Sequence, residues 1–502
     1  MDGIRSITRG IIYKGLATGM VTLLGLATSI VLARYFGKDE YGKLIIVYTV
    51  VSFFAIFTNF GIGGAIIRFL PKYIAAGDNR QLNIFSFCAG ILVLFFSSFF
   101  SAILFFSASF IATVIFHRPD IIYIIQIGSI YLFCYSLLYF MSNIFQGLQK
   151  WQIEAPLSIV TPLIYFFGIL LVTIIGMKLI DGVLYAHIFA IAVSILLALI
   201  VLYKGRHLKI PELSFETAFS TIKDTLVFSL PLIFSSFTFY LMIWFDRLIL
   251  GASSSNEELI SYYIATMILS GAMMMFKVLF TVLSPYVAEI DPSNAQEIDE
   301  KFKFLFKWFF HISILFAIAM FFIADPLIIA AYGDNFSSSA LIFKVLLVVF
   351  ILRSTSNPIH MFLVNVFEET KEVARISVLV VIVNVILNLF LIPLFSYWGA
   401  VSSSIISYSC AWVYMASRIE SIKKLLPVGL IRKSSISLGL IILVNILSHA
   451  IGIHNIWLLF IISLFMFMFL QWLQKELQGE DFDFFMKVVR ASLAGVCKKD
   501  TL

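Results

Sequence analysis

The hydrophobic pattern of the chain is a series of apolar stretches of about 20 to 30 residues, separated by short polar breaks. Because lipid offers an exposed backbone no hydrogen-bond partner, stretches of this length cross a bilayer as α-helices. Counted by bilayer length, the pattern predicts about fourteen spans, at about 11–34, 43–69, 82–116, 120–146, 155–177, 181–203, 225–250, 258–288, 302–330, 335–367, 373–397, 398–417, 434–452 and 453–474. The predicted fold class is an all-α integral membrane protein.

Weak internal similarity predicts that twelve of these spans form two six-helix repeats. Three short segments match after an offset of about 213 to 217 positions, and each match falls at an equivalent place in its half. Because six is an even number, both repeats enter the membrane in the same direction. The predicted domains are an N-terminal repeat (1–203), a cytoplasmic linker (204–224), a C-terminal repeat (225–417), an extra helix pair (434–474) and a cytoplasmic interfacial tail (475–502).

Composition supports a membrane protein. Hydrophobic residues make up 61% of the chain and charged residues 13%, whereas soluble domains are about half apolar and a quarter charged. The net charge of +6 is spread over loops, which argues against a nucleic-acid partner. The four cysteines lack metal or disulfide spacing, and we expect no cofactor or metal.

The distribution of basic residues predicts the orientation in the membrane. With a cytoplasmic amino terminus, most of the 35 basic residues face the cytoplasm. The outer loops then hold only Arg34, Lys38, Lys43, Arg118, Lys178 and Arg247. We therefore expect a multi-pass protein of the cell membrane with both termini inside.

Lys277 is the first candidate for a substrate-binding residue. It lies in the middle of the eighth predicted span, and no carboxylate lies within a helical turn of it in the sequence. A charge at the bilayer centre costs about 2.5–3.5 kcal/mol on insertion scales, which a hydrated cavity or an anionic ligand offsets. The alternative is a lysine that reaches a membrane face. The repeat aligns Lys277 with Gly63, and Gly61, Gly63 and Gly64 are candidates for helix packing or a hinge.

Further charged residues lie within or near spans. Arg34 and Arg247 fall near the outer face, where they either bind substrate or anchor the helix. Asp246 is the only acid assigned to the interior of a span away from its last turn, and it serves either an ion pair or a coupling ion. Arg353 and Lys344 point to opposite faces of one helix; we favour Arg353, which lies deeper, as a functional residue over a buried structural arginine.

Short motifs of the first two spans resemble a known family. Ala33-Arg34-Tyr35-Phe36-Gly37, Glu40-Tyr41-Gly42, Asn59-Phe60-Gly61-Ile62 and Arg68-Phe69-Leu70-Pro71-Lys72-Tyr73 resemble the opening of the polysaccharide transporter and O-unit flippase family. This family belongs to the multidrug/oligosaccharidyl-lipid/polysaccharide exporter superfamily. The likeness covers nearly the whole chain in length, span count and repeat.

The resemblance implies a flippase for a polyprenyl-diphosphate-linked sugar, which uses a cleft lined by the first, second, seventh and eighth spans. Its implied partners are the lipid-linked glycan, membrane lipid, a coupling ion (Na⁺ or H⁺) and glycan assembly proteins. The substrate-binding candidates become Lys277, Arg34, Arg247, Arg353 and Arg68. In the related lipid II flippases an Arg-Asp pair precedes the first motif, whereas Thr28-Ser29 stand here, which argues against lipid II as substrate.

Two other functions fit the sequence less well. A Na⁺- or H⁺-coupled multidrug and toxin exporter would need buried carboxylates, yet the span centres hold three basic residues against one acid. A membrane enzyme would need polar residues on a sizeable outer loop, and the longest predicted outer connection, about 251–258, is short. The seven histidines lie singly and build no nucleophile or metal site. We expect a transporter rather than an enzyme.

Overall fold

The structure is a computed structural model that describes residues 2–176, 180–205, 211–212, 214–450, 455–474 and 476, without the side chains of residues 2–14, 275, 281, 282, 285, 449 and 450. Every regular element within these residues is helical. Twelve helices in this part of the chain are long and apolar enough to cross a membrane. The all-α membrane fold is therefore confirmed.

The helices pack into two compact units, Met1–Ile260 and Ser261–Leu502. The first unit contains α1 (Asp2–Asn59), α2 (Ile62–Ala75), α3 (Asn79–Phe110), α4 (Ile122–Gly147), α5 (Trp151–Ile175), α6 (Asp181–Lys204), α7 (Phe215–Ile243) and α8 (Phe245–Ser253). Apolar side chains of α2, α3 and α4 form a core, with Ile66, Phe85 and Ile144 almost inaccessible.

The second unit takes most of α9 (Asn256–Ala288), which begins in the first. It continues with α10 (Ala295–Tyr332), α11 (Ser337–Asn365), α12 (Thr370–Phe395), α13 (Tyr397–Arg418), α14 (Glu420–Leu425), α15 (Val428–Ala450) and α16 (Ile456–Leu473). Aromatic rings fill its core: the Phe276 ring centroid lies 5.3 Å from that of Phe350 and 5.8 Å from that of Phe309.

Polar side chains fix where several helices begin. Asp78 accepts a hydrogen bond from the backbone N–H of Gln81 at the start of α3, and Asn455 accepts from Trp457 at the start of α16. Such caps satisfy backbone donors that have no partner within the helix. They place the ends of these spans at polar positions that the sequence already marks as breaks.

The expected count of fourteen spans is not confirmed. The helix α1 covers the first predicted span and most of the second, and its only interruption is a non-helical backbone at Gly37 (φ 74°, ψ −173°). The helix α13, which matches the twelfth predicted span, is not among the twelve that meet the length and hydropathy criteria. Polar residues of its sequence, including a run of three serines, lower its hydropathy.

The predicted domain boundaries stay predictions. The compact units divide after Ile260, so α7, α8 and the start of α9 belong with the first six predicted spans. Of the predicted linker 204–224, residues 206–210 and 213 lie outside the described residues. All of the predicted tail 475–502 except Glu476 does so as well.

Candidate substrate-binding site

Lys277 lies deep within α9 and is exposed at the protein surface. The preceding residue, Phe276, is fully buried in the aromatic core of the second unit. Because successive helical residues point about 100° apart, this packing directs Lys277 away from the core. Eleven residues separate it from the end of the helix at Ala288, or about 16 Å at 1.5 Å per residue. The helix is about 50 Å long at this rise, more than a hydrocarbon core of about 30 Å, and its candidate membrane span is Asn256–Phe280, so a lysine that reaches a membrane face stays an alternative.

Asp246 and Arg247, two of the predicted residues, lie at the start of α8 in the first unit. Arg247 is only 8% exposed, and its guanidinium carbon lies 4.7 Å from the ring centroid of Trp244. The carboxylate of Asp246 accepts a 2.7 Å hydrogen bond from the backbone N–H of Arg247. Arg34 on α1 is exposed. Arg247 is therefore held by its surroundings, whereas Arg34 is accessible.

Arg68, on α2, packs against aromatic rings. Its guanidinium carbon lies 4.5 Å from the ring centroid of Phe228 and 5.6 Å from that of Phe69. Its side chain is exposed. Aromatic faces at these distances attract a guanidinium and fix its orientation.

Lys344 and Arg353 contact different helices, as their spacing along α11 predicts. Lys344 forms an ion pair with Asp325 on α10, and its ammonium lies 5.1 Å from the ring centroid of Phe321. Arg353 lies over Tyr408 on α13, with 5.4 Å between the guanidinium carbon and the ring centroid. The structure therefore assigns Lys344 to an ion pair within the second unit.

One carboxylate, Asp325, corrects the expectation that Asp246 is the only acid within a span away from its last turn, and a second is buried at the start of α5. Asp325, the partner of Lys344, lies seven residues before the end of α10. Glu154, in the first turn of α5, is 1% exposed and accepts hydrogen bonds from Ser142 and Gln146. Both acids have polar partners within their own unit. The excess of basic over acidic groups is correspondingly smaller than the sequence suggests.

The three predicted glycines permit close approaches in the first unit. Gly61 adopts a positive φ of 70° between α1 and α2, and a Cβ there would lie 2.5 Å from the carbonyl oxygen of Ser229. A Cβ at Gly63 would lie 2.7 Å from the side-chain nitrogen of Asn143. At Gly64 it would lie 2.5 Å from Leu232. The geometry supports packing at all three positions and a break in the helix at Gly61.

Thr28 and Ser29, the residues that depart from the lipid II flippase pattern, are buried. The hydroxyl of Tyr41 donates a 2.9 Å hydrogen bond to the Ser29 hydroxyl. These positions therefore contribute to packing within α1 rather than offering charge to a ligand.

The structure also brings together residues that the sequence analysis did not single out. His187 on α6 lies among Tyr48 on α1, Tyr131 on α4 and Tyr165 on α5. No sequence signal joins them, because the hydrogen-bonded pair Tyr48 and His187 is 139 positions apart. A single histidine in a span looks the same in sequence whether it joins such a cluster or only packs in the interior.

A second polar cluster of the same unit lies beside the bend of α1 at Gly37. Lys43 pairs with Asp39, Glu40 and Asp120, while Asp39 accepts a 2.6 Å hydrogen bond from Asn256. A guanidinium nitrogen of Arg118 donates a 2.5 Å hydrogen bond to the carbonyl oxygen of Ser254. Burial lowers the pKa of Arg118, and the carboxylates of Asp120 and Asp39 oppose this change. The cluster fastens the start of α9 to α1.

Comparison with known proteins identifies the family. The model of the polysaccharide biosynthesis protein family matches residues 7–291. The chain belongs to the polysaccharide biosynthesis protein family. A comparison with curated protein sequences finds no match. The family assignment agrees with the resemblance carried by the motifs around Arg34 and Arg68.

Solved structures show the same fold. The lipid II flippase MurJ, in an inward closed conformation, is similar with a TM-score of 0.67 and 14% identity over 92% of this chain and 98% of that one. An inward-facing multidrug resistance MATE transporter of the MOP superfamily has a TM-score of 0.62 and 14% identity, over 84% and 99%. A MOP superfamily transporter from Pyrococcus furiosus, whose binding pocket is described as reversed in polarity, has a TM-score of 0.54 and 12% identity, over 84% and 99%. The family member described here thus has the fold of membrane transporters.

Proposed function

We propose that this protein is a flippase that moves a polyprenyl-diphosphate-linked oligosaccharide from the cytoplasmic to the outer leaflet of the cell membrane. It works by alternating access along a path lined with basic side chains, with both termini in the cytoplasm. Membership of the polysaccharide biosynthesis protein family and the fold shared with a flippase support this proposal. Glycan assembly proteins and a coupling ion are its proposed partners.

The position of Lys277 carries the proposal. A lysine within the membrane-crossing stretch Asn256–Phe280 of α9 carries an insertion cost, which contact with an anionic substrate would offset. A diphosphate that leaves water needs cations and hydrogen-bond donors to replace its hydration. Lys277 and the arginines 34, 68, 247 and 353 supply such donors, and we propose that they contact the diphosphate during transport.

Competition binding tests the sign of the substrate. The purified full-length protein should bind a short-chain polyprenyl-diphosphate N-acetylglucosamine better than tetraphenylphosphonium, a lipophilic cation. Because accessible charges are screened within about 10 Å at 0.1 M salt and about 3 Å at 1 M, binding of the diphosphate should weaken as salt increases between these concentrations. Tight binding of the cation alone would instead support a multidrug exporter.

The matched control in this assay is the dephosphorylated polyprenol. It keeps the apolar tail but lacks the charges that the basic residues are proposed to contact. Equal affinity for polyprenol and for the diphosphate would show that the tail alone is recognised, and would contradict the role proposed for Lys277.

A further inference from the structure

Four aromatic side chains cluster inside the first unit, and three of them are joined by hydrogen bonds. The hydroxyl of Tyr48 lies 2.9 Å from Nδ1 of His187 and 3.0 Å from the hydroxyl of Tyr165. The ring of His187 stacks on that of Tyr165, with 3.9 Å between centroids and 15° between planes. Its centroid is also 4.7 Å from that of Tyr131. Groups from α1, α4, α5 and α6 therefore meet at one imidazole.

The cluster lies within the membrane-spanning part of these helices. His187 follows the start of α6 by six residues, or about 9 Å, and Tyr165 precedes the end of α5 by ten residues, or about 15 Å. Ionisable groups at such a depth are rare in membrane proteins and mark proton or ion pathways. The proposed transport of anionic lipid does not by itself require a histidine at this place.

The chemistry of the cluster suits a proton better than a metal cation. Hard metal cations take several oxygen ligands, commonly carboxylates, whereas the groups that face His187 from α1, α4 and α5 are tyrosines. On its own helix the nearest titratable group is Tyr185, whose hydroxyl pairs with that of Tyr123. The tyrosine faces within about 6 Å of the imidazole attract the cation that forms when it binds a proton.

Uptake of one proton would reverse the hydrogen bonds of the cluster. In a neutral imidazole with its hydrogen on Nε2, Tyr48 donates to Nδ1 and Tyr165 donates to Tyr48. When a proton is added to Nδ1, this nitrogen donates to Tyr48, which then donates to Tyr165. The hydroxyl hydrogen of Tyr165 must find another acceptor, so α5 and α6 respond to the protonation state.

We propose that His187, with Tyr48 and Tyr165, is the site at which this transporter binds a coupling proton. The inference rests on the proposed flippase function and identifies its coupling ion. One proton is taken up on one side of the membrane and released on the other in each cycle, and no covalent bond other than N–H is made or broken. The charge of the cluster changes by one, which gives the two conformations of the unit different energies.

Flipping in proteoliposomes tests the proposal. The full-length protein is reconstituted with a fluorescent short-chain polyprenyl-diphosphate N-acetylglucosamine, and its movement is followed by chemical quenching of the outer leaflet. With membrane potential clamped, a pH difference of one unit should change the wild-type rate by up to about tenfold, the ratio of proton activities. His187→Gln, which retains a hydrogen-bonding group but cannot become a cation, should flip at a rate independent of the pH difference.

Two further variants separate a proton site from a structural role. Tyr165→Phe keeps the stacked ring and removes the hydroxyl, and should reduce the response to the pH difference. Tyr123→Phe is the matched control, since it breaks a hydroxyl pair with Tyr185 between α4 and α6, two helices that also contribute to the cluster, and it should respond as the wild type does. An unchanged response in His187→Gln, or a response to sodium alone, would overturn the proposal.

Direct titration decides the inference even if the flippase function fails. In an acid titration that extends below the ordinary range of histidine, because burial disfavours the imidazolium, the wild-type protein in detergent should bind one more proton than His187→Gln. A difference of one proton without any lipid flipping would support the site and contradict the proposed function. Equal proton uptake would contradict the site whatever the substrate.

Discussion

Lys277 and Lys344 both lie inside spans, but the structure surrounds them differently. Lys344 is paired with Asp325 and lies near the ring of Phe321. Lys277 is exposed beside a buried Phe276. If Lys277 contacts the substrate, its replacement by alanine should reduce transport and leave the protein level unchanged. If Lys344 maintains the fold, its replacement by alanine should reduce the protein level.

For Lys277→Ala we predict normal abundance in the membrane and a loss of flipping of about 10- to 100-fold, the value of a hydrogen bond to a charged group. Removal of a deep charge lowers the cost of insertion, so the protein should accumulate normally. Lys277→Arg should retain part of the activity, because the guanidinium keeps the charge and presents two donors to a phosphate. Complementation of a flippase-deficient strain, read beside immunoblots of membranes, measures both quantities.

Lys344→Ala is the matched control for this experiment. It leaves Asp325 without its cation inside a span, so the amount of protein should decrease. The double variant Lys344→Ala with Asp325→Asn should restore the amount. Full activity of Lys277→Ala at normal abundance would exclude Lys277 from the mechanism.

Residue spacing predicted one part of this arrangement and missed another. Lys344 and Arg353 are nine positions apart, which predicts opposite helical faces. The structure places Lys344 against α10 and Arg353 against α13. The sequence does not pair Lys344 with Asp325, because the two residues are 19 positions apart on different helices. Pairing between helices is set by tertiary packing, which a single sequence does not display.

At the scale of the elements, α1 approaches the start of α9 at Gly42. A Cβ at Gly42 would lie 2.6 Å from the Cβ of Asn256 and 2.8 Å from its carbonyl oxygen. We predict that Gly42→Ala lowers the free energy of unfolding by about 1–3 kcal/mol, the cost of overpacking a close contact. The thermal midpoint of the purified protein in detergent should decrease accordingly.

Gly25→Ala provides the comparison on the same helix. A Cβ at Gly25 meets no atom within 4 Å, so alanine should be neutral or should stabilise the helix by about 0.5–1 kcal/mol. If the two variants unfold at the same temperature, the contact between Gly42 and Asn256 does not contribute to stability.

Hydropathy located the helices but not their interruptions. The predicted span 43–69 is continuous in sequence, whereas α1 ends at Asn59 and α2 begins at Ile62, with positive φ at Phe60 (43°) and Gly61 (70°). A phenylalanine does not mark a break in a hydrophobicity profile. The motif around Gly61 carried the signal, since glycine readily adopts this backbone conformation.

At the scale of the whole molecule, the orientation in the membrane remains a prediction from the basic residues. Cysteines at Ser255 and Asn335 should react with an impermeant reagent outside intact cells, whereas those at Ser214, Ser293 and Lys424 should not. All five positions are exposed. Labelling at Ser293 from outside would contradict the fourteen-span topology.

The sequence predicted the fold class and family of the whole molecule, and these are confirmed. It placed the main division at the polar linker 204–224, whereas the compact units divide after Ile260. The linker is visible in sequence because it is polar. The packing of α7 and α8 with α1 is not visible, because it depends on contacts such as that of Tyr240 with the backbone of Thr49.

The hydrogen bond between Asp39 and Asn256 joins residues 217 positions apart. During synthesis, the first hairpin of the protein therefore enters the membrane long before the residue that fastens it has been made. Until Asn256 has been made, Asp39, which lies beside the bend of α1 at Gly37, lacks this contact. The first unit therefore completes its contacts only after more than half of the chain has been synthesised.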